Sequence, residues 1–114
     1  MEIKVKKQSG SVNINSKHII NYIAEKVSMV AGVKHVGNKN RLSFIKKLLK
    51  YNEDSIKLYP LGHGLIGVEV HVILNKGVNF TTISTQIQEI IMFKLKEKFG
   101  ITVSFVDVVI EGTE

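Results

Sequence analysis

Four histidines and ten carboxylates are the side chains of this sequence that could perform acid–base or metal chemistry, and cysteine is absent. None of the histidines, His18, His35, His63 and His71, stands in an HxH or HxxxH pair, and no acidic cluster accompanies them. Glu69 lies two residues before His71 in an alternating apolar segment, so the two side chains share one face of a predicted strand. An acid–base or metal role is one interpretation, and a solvated carboxylate–imidazole pair is the simpler one.

The glycines Gly62, Gly64 and Gly67 spell GxGxxG, the pattern of a dinucleotide-binding loop. That loop needs a strand before it and a helix after it, whereas an alternating strand follows here. The pattern therefore predicts a glycine-rich hairpin turn. The segment GLIG at 64–67 fails as a KH-type loop for the same reason. The sequence has no nucleophile elbow, P-loop or pair of catalytic carboxylates, so we predict no enzymatic activity, no cofactor and no metal.

The formal charge of +6 is concentrated in the middle of the chain. Residues 34–57 carry seven basic and two acidic side chains, whereas residues 58–114 carry four and six. Within the middle, Arg41 to Tyr51 (RLSFIKKLLKY) has the pattern of a basic amphipathic helix that could contact anionic lipid or an acidic partner. The alternative is a short helix that packs its leucines on the domain and exposes its lysines to water. Its predicted electrostatic contacts are Lys46, Lys47 and Lys50.

Hydrophobic periodicity predicts the elements that would hold these residues. A short strand at Val12–Ile14 leads through the capping residues Asn15 and Ser16 into a helix that ends near Ala31. Two strands, 56–59 and 65–74, and a last strand, 101–111, follow the basic segment. In the last strand the apolar parity changes, which predicts a β-bulge near Ser104 and Phe105.

A long helix between Asn79 and Phe99 has an apolar stripe at spacings of three and four residues. The stripe consists of Phe80, Ile83, Ile87, Ile91 and Leu95. Met92 and Phe93 fall away from it, whereas Lys94 and Lys98 fall near its centre. Met92 and Phe93 are therefore either buried by a rotation of the helix or form an exposed apolar patch for dimerisation or partner docking.

These elements predict an α+β fold, a two-layer domain with a mixed or antiparallel sheet, two main helices on one face and a short basic helix. One domain spans 1–114, with 1–9 extended or flexible and 34–57 a basic connecting segment. Apolar runs are far shorter than the roughly 20 residues of a membrane span. The first ten residues also lack the apolar segment of a signal peptide, so a cytoplasmic location is expected.

The order of these motifs resembles the alkaline-shock protein family of bacteria. Gly10–Val33 (GSVNINSKHIINYIAEKVSMVAGV) is similar to the opening strand, helix and PGV-type end of the family, with Ala31 in place of the usual Pro. Gly64–Val72, the turn at 77–79, the helix pattern of 83–95 and the closing strand from Gly100 to Gly112 resemble its second half. The segment 34–57 and the residues Ile90, Met92 and Phe93 depart from the family pattern.

The resemblance implies a small α+β domain without catalytic activity that takes part in cell-envelope stress response or homeostasis. We therefore expect a non-enzymatic protein that acts through protein–protein contacts, with Met92 and Phe93 as apolar contacts. The resemblance implies a membrane-anchored protein or a lipid-metabolism enzyme as partner, and self-association is a further expectation. The alternatives are a basic nucleic-acid-binding domain, which the scarcity of aromatic residues among the lysines disfavours, and a peripheral binder of anionic membranes.

Overall fold

The structure of the protein, a computed structural model, describes residues 1–37 and 55–114. The described residues form six strands and two helices, which confirms the α+β fold class. In chain order the elements are β1 (Glu2–Lys7), β2 (Gly10–Asn15), α1 (Ser16–Ser28), β3 (Val33–Val36), β4 (Ile56–Gly62), β5 (Leu65–Leu74), α2 (Phe80–Phe99) and β6 (Thr102–Thr113). The basic helix predicted at Arg41 to Tyr51 lies outside the described residues.

The strands form a two-stranded hairpin and a four-stranded mixed sheet. β1 pairs with β2 antiparallel. In the larger sheet β5 is central, because β6 pairs with it in parallel along its whole length while β3 and β4 pair with it antiparallel. A strand has two edges, so β3 and β4 share the edge opposite β6, β3 next to Val72–Leu74 and β4 next to 65–70.

Both helices cover one face of the larger sheet. Alternate residues of β5 from Ile66 to Leu74 are buried in one apolar cluster with the inner faces of α1 and α2. The helical members of this cluster are Ile19, Ile20, Ile23 and Val27 of α1 and Ile83, Ile87, Ile91 and Leu95 of α2. Ile3 and Val5 of β1 join the same cluster, so the hairpin closes one end of the core. The other face of the sheet, which we call the open face, carries Glu69 and His71, as their position in the alternating strand predicted.

Local sequence signals set the ends of the helices as expected. Asn15 and Asn79 are the N-caps of α1 and α2, and their side-chain oxygens accept hydrogen bonds from the backbone N–H groups of Lys17 and Thr82 at 2.8 and 2.9 Å. Gly100 ends α2 in the left-handed conformation that glycine adopts without strain.

Two parts of the predicted helices were placed wrongly. The first helix ends at Ser28 rather than near Ala31, and the chain then turns through Gly32, whose φ is +99°. Phe80 does not belong to the buried stripe, because 47% of it is exposed. The spacing of apolar residues identifies a helical face but not how far along the helix that face is covered.

The first nine residues and the start of the basic segment both contain paired strands that the sequence patterns did not predict. Residues 2–7 were expected to be extended or flexible, and they are a paired strand whose alternating Ile3 and Val5 are buried. Part of the connecting segment 34–57 is likewise strand, because β3 continues to Val36 and β4 begins at Ile56.

The predicted bulge in the last strand is confirmed. The register of β6 against β5 shifts between Val103 and Phe105, so Ser104 is the extra residue. A second shift, not predicted, lies between Ile110 and Gly112 and makes Glu111 the extra residue there. Because a bulge changes the direction of a side chain and bends its strand, the second shift affects where Glu111 points.

Candidate functional site

The open face of the sheet brings His71 together with two carboxylates, a group we call the histidine cluster. His71 Nε2 lies 2.8 Å from Glu69 Oε2, and His71 Nδ1 lies 2.5 Å from Glu111 Oε2. All three side chains are about one-fifth exposed. A neutral imidazole donates at one nitrogen only, so both contacts are hydrogen bonds only when the ring is protonated. The geometry is therefore that of an imidazolium held between two carboxylates.

The electrostatics of the histidine cluster agree with this geometry. Burial of the ring opposes its charge, but the hydrogen bonds to Glu69 and Glu111 outweigh it and raise the pKa of His71 above its ordinary value of 6.5. The hydrogen bond from His71 in turn lowers the pKa of Glu69 below 4.5, against the opposing effect of burial. Each group thus stabilises the charged form of the other.

Residues of β4 extend the cluster along the open face. The Tyr59 hydroxyl donates to Glu69 Oε1 at 3.4 Å, and the positive charge of Lys57, which is paired with Glu69 across the strands, contributes to lowering the pKa of that carboxyl. The backbone of His71 closes the same edge: its N–H donates to Ser55 O at 2.8 Å, and its carbonyl accepts from the N–H of Gly37 at 2.9 Å. His71 therefore contacts β6 through its side chain, and through its backbone it contacts Gly37, just after β3, and Ser55, just before β4.

A serine, Ser55, pairs through its backbone with His71 of the histidine cluster, which raises the question of nucleophilic catalysis. Ser55 is fully buried and its hydroxyl has no hydrogen-bond partner among the described residues. A serine nucleophile needs a histidine nitrogen free to accept its proton. Both ring nitrogens of His71 face carboxylates instead, so this arrangement does not activate Ser55. In residues 1–37 and 55–114, no group of histidine and acidic side chains is arranged to hold a metal ion.

The remaining histidines lie apart from one another. His35 of β3 reaches Glu114 near the end of β6, with Nε2 3.4 Å from Oε1. His18 packs edge-on against Phe99, and His63 occupies the β4–β5 turn with a positive φ of 56°. The glycines of this turn behave as predicted, since Gly62 and Gly64 both have positive φ.

Gly67 serves a different purpose from the two turn glycines. It lies within β5 opposite Phe105, and a Cβ atom placed on it would come 2.1 Å from Phe105 Cζ. The Phe105 ring therefore lies directly on the backbone of Gly67. Beside it lies Tyr59, with ring centroids 6.2 Å apart and ring planes at 30°. The third glycine of the GxGxxG pattern thus makes room for an aromatic ring.

The second candidate surface lies on the outer side of α2. Met92 and Phe93 are exposed by 39% and 60%. They do not form one patch, because consecutive residues of a helix point about 100° apart. Met92 stands one turn from Gln88, which donates to Val106 O, and one turn from Lys96, whose Nζ lies 3.3 Å from Thr102 Oγ1, so it faces the β6 side.

Phe93 points about 100° away from Met92, on the side of α2 nearer the end of α1. It lies three residues after Ile90 and four after Glu89, positions that are neighbours on a helix surface. Those two residues, with Val30, Ala31 and Gln86, line a shallow groove between α2 and the turn that follows α1. We call the groove together with Phe93 the Phe93 surface.

The lysines expected near the centre of the α2 stripe remain at its margins. Lys94 is partly buried and its Nζ lies 3.7 Å from Glu97 Oε1, while Lys98 places its Nζ 5.0 Å from the centre of the Tyr22 ring. Both keep their charged ends in contact with polar or aromatic groups while their stems cover apolar surface. The predicted contacts Lys46, Lys47 and Lys50 lie outside the described residues and stay predictions.

Sequence reasoning found Glu69 and His71 but missed their third partner, Glu111. A signal was present: Val106, Val108 and Ile110 share one parity, which places Asp107, Val109 and Glu111 together on the other face. What the pattern lacked was the register, in which His71 pairs with Val109. That register makes Glu111 a diagonal neighbour of His71, within reach of a long side chain.

Fold and sites together define a small α+β domain with a helix-covered sheet face and a charged open face. No family model and no solved structure matches the chain. It is similar to an uncharacterized protein, Spy1614, of Streptococcus pyogenes serotype M6 (strain ATCC BAA-946 / MGAS10394). The identity is 25% over 117 residues, which cover 98% of this chain and 94% of the relative. The similarity therefore extends over nearly the full length of both chains.

Proposed function

We propose that this protein is a non-enzymatic interaction domain that binds a protein partner through the Phe93 surface. The exposure of Phe93 beside a groove is the observation that carries the proposal, because a large aromatic ring in water at the margin of an apolar groove is typical of an interface anchor. The resemblance to alkaline-shock proteins favours a cytoplasmic role in envelope stress response or homeostasis, with a membrane-anchored protein or a lipid-metabolism enzyme as partner.

The charges around Phe93 favour a particular kind of partner. Glu89 and Glu97 lie one turn before and one turn after Phe93, and both are exposed. Lys94 is already engaged with Glu97. A partner that inserts an apolar side chain between Ile90 and Phe93 and carries Lys or Arg beside it would complement this surface. An amphipathic basic helix has that combination of groups.

The histidine cluster supports a binding role more weakly than it supports a structural one. Its carboxylates and imidazole satisfy one another, so few of their polar atoms remain available to a ligand.

Neither helix in the described part of the chain combines the length and apolar character that a membrane span requires.

The proposal is tested by replacing Phe93 with Ser and measuring both self-association of the purified protein and capture of partners from the native cell. Loss of an aromatic anchor weakens binding by roughly 30-fold or more. The unfolding free energy should change by less than about 0.5 kcal/mol, because the side chain is exposed.

Phe80→Ser is the matched control, since it removes an exposed aromatic from the same helix, thirteen residues and about 20 Å along the helix axis from Phe93. Met92→Ser is a second comparison, because Met92 faces the β6 side. Binding that survives Phe93→Ser, or that is lost equally in the Phe80→Ser variant, would contradict the assignment of the Phe93 surface. A large loss of stability in the Phe93 variant would show that the ring is part of the core.

A further inference from the structure

The histidine cluster joins two strands at the end of the sheet where β6 is irregular. Glu111 is the extra residue of the second bulge, and pairing after it continues with Gly112 opposite Ile73. Beyond the bulge, the N–H of Glu114 donates to Leu74 O at 3.0 Å and the N–H of Lys76 donates to Glu114 O at 3.4 Å. The contact between His71 and Glu111 therefore fastens β6 to β5 at the bulge, where the regular ladder is interrupted.

Whether the His71 ring is protonated determines whether its two nitrogens attract or repel the carboxylates of Glu69 and Glu111. With the imidazole protonated, Nδ1 donates to Glu111 and Nε2 donates to Glu69. After loss of the proton, one nitrogen presents a lone pair to a carboxylate oxygen at 2.5 or 2.8 Å. That contact is repulsive and must lengthen. A ring held by two carboxylates thus cannot become neutral without breaking one of its two contacts.

We propose that His71 is a proton-dependent clamp that holds the end of β6, residues 111–114, against β5 while the ring is charged and releases it when the ring becomes neutral. In this clamp the neutral ring keeps its proton on Nε2, bonded to Glu69 of the same strand, so the contact that breaks is the one between Nδ1 and Glu111. The backbone of His71 is held from the β3 and β4 side by Gly37 and Ser55, so the clamp opens on the β6 side of β5.

The surroundings of His71 fix the direction of the response. The charged and titratable groups around this part of the sheet are Lys57 and Tyr59 of β4, which lie against Glu69; Asp107 and Glu111 of β6; and the pair of His35 and Glu114 at the end of the sheet. Of these groups only Glu69 and Glu111 contact the ring, and both raise the pKa of His71 against the opposing effect of burial.

The sign of the pH dependence follows from these shifts. Because the pKa of His71 is raised on folding, its stabilising contribution is complete below the unfolded value of 6.5 and is lost as the pH rises through the folded value. Because the pKa of Glu69 is lowered, its contribution is complete above 4.5 and is lost as the pH falls through its folded value. On the alkaline side the clamp is therefore fully closed up to about pH 6.5 and opens as the pH rises through the folded pKa of His71.

Amide hydrogen exchange of the intact protein between pH 5.5 and 9, corrected for intrinsic exchange rates, tests the clamp directly. We expect protection of residues 110–114 to fall roughly tenfold as the His71 ring titrates by NMR, the change that corresponds to one charge-assisted hydrogen bond. Protection of 102–107, at the other end of β6, should show no such step. Glu111→Gln should remove the step while leaving the fold intact, because the amide is isosteric with the carboxylate.

His63→Gln is the matched control, because His63 lies in an exposed turn and should leave the step unchanged. His35→Gln removes the contact of the second histidine at this end of the sheet, His35 with Glu114, and should leave the step caused by the clamp in place. A wild-type protein whose protection stays constant while His71 titrates would overturn the proposal. The proposal would also be overturned if the pH step in protection persisted in the Glu111→Gln variant. It would likewise be overturned if the step disappeared in the His35→Gln variant but not in the Glu111→Gln variant.

Discussion

Replacing Gly67 with Ala adds one methyl carbon, and the position of the Phe105 ring decides whether that substitution stabilises or destabilises the protein. The φ angle of Gly67 is not in the positive region, so Ala can adopt its backbone conformation. In a strand interior Ala is more favourable than Gly by about 0.5–1 kcal/mol. If nothing lay above Gly67, the Gly67→Ala variant would therefore be more stable than the wild type.

The Phe105 ring reverses that expectation. The new Cβ would lie 2.1, 2.2 and 2.8 Å from three ring carbons, so the ring must move. Forcing a methyl group into a packed contact costs about 1–3 kcal/mol. Displacing the ring from Tyr59 forfeits about 0.5–1.5 kcal/mol more. The Gly67→Ala variant should thus be less stable than the wild type by about 2 kcal/mol.

Equilibrium urea unfolding of a double-mutant cycle measures this effect. In a Phe105→Ala background the obstacle is gone, and Gly67→Ala should then stabilise the protein by about 0.5–1 kcal/mol. In a Tyr59→Ala background the ring remains over Gly67, and the substitution should still destabilise. A Gly67→Ala protein as stable as the wild type, or an equal cost with and without Phe105, would refute the reasoning.

Two further predictions concern the ends of the helices, and both are measured by urea unfolding. Asn79→Ala removes the acceptor of the Thr82 N–H and should destabilise the protein by about 1 kcal/mol, whereas Asn79→Asp should retain most of the stability. Gly32→Ala places a Cβ 2.7 Å from Ile83 Cδ1 at a φ of +99° and should cost about 1–3 kcal/mol. Gly77→Ala has a similar φ but no neighbour within 4 Å, so an equal loss in both variants would show that the Ile83 contact contributes nothing.

Much of the fold could be predicted because its signals are local. The alternation of β5, the spacing of Ile83 to Leu95 and the capping residues each depend on neighbours a few positions away. The change of parity around Ser104 even located a bulge, since only an extra residue reconciles two apolar phases within one strand. The same kind of alternation is present at Ile3 and Val5, and it correctly indicates the paired strand β1 once its partner β2 is known.

The histidine cluster was only half predictable because its third member depends on strand register. Glu69 and His71 are two residues apart, but Glu111 is forty residues away and reaches His71 only in the parallel register that pairs His71 with Val109. Register is a property of two strands together. The role of Gly67 could not be predicted for the same reason: the GxGxxG pattern contains no information about Phe105, which lies over Gly67 only because β6 pairs with β5 in this register.

The two candidate surfaces also bear on the nucleic-acid alternative. Of the sixteen basic and ten acidic residues, five basic and two acidic ones lie in 38–54, which leaves the described residues with a smaller excess of eleven over eight. On the open face, Glu69, Asp107 and Glu111 face Lys57 and His71, so loss of the His71 proton makes that face more acidic. Phosphates are repelled by such a face, and the repulsion grows as the pH rises. A phosphate-binding surface would have to lie away from the open face, on the exposed lysines of β1 (Lys4, Lys6 and Lys7) or on the basic segment, whereas an apolar anchor such as Phe93 needs no net charge.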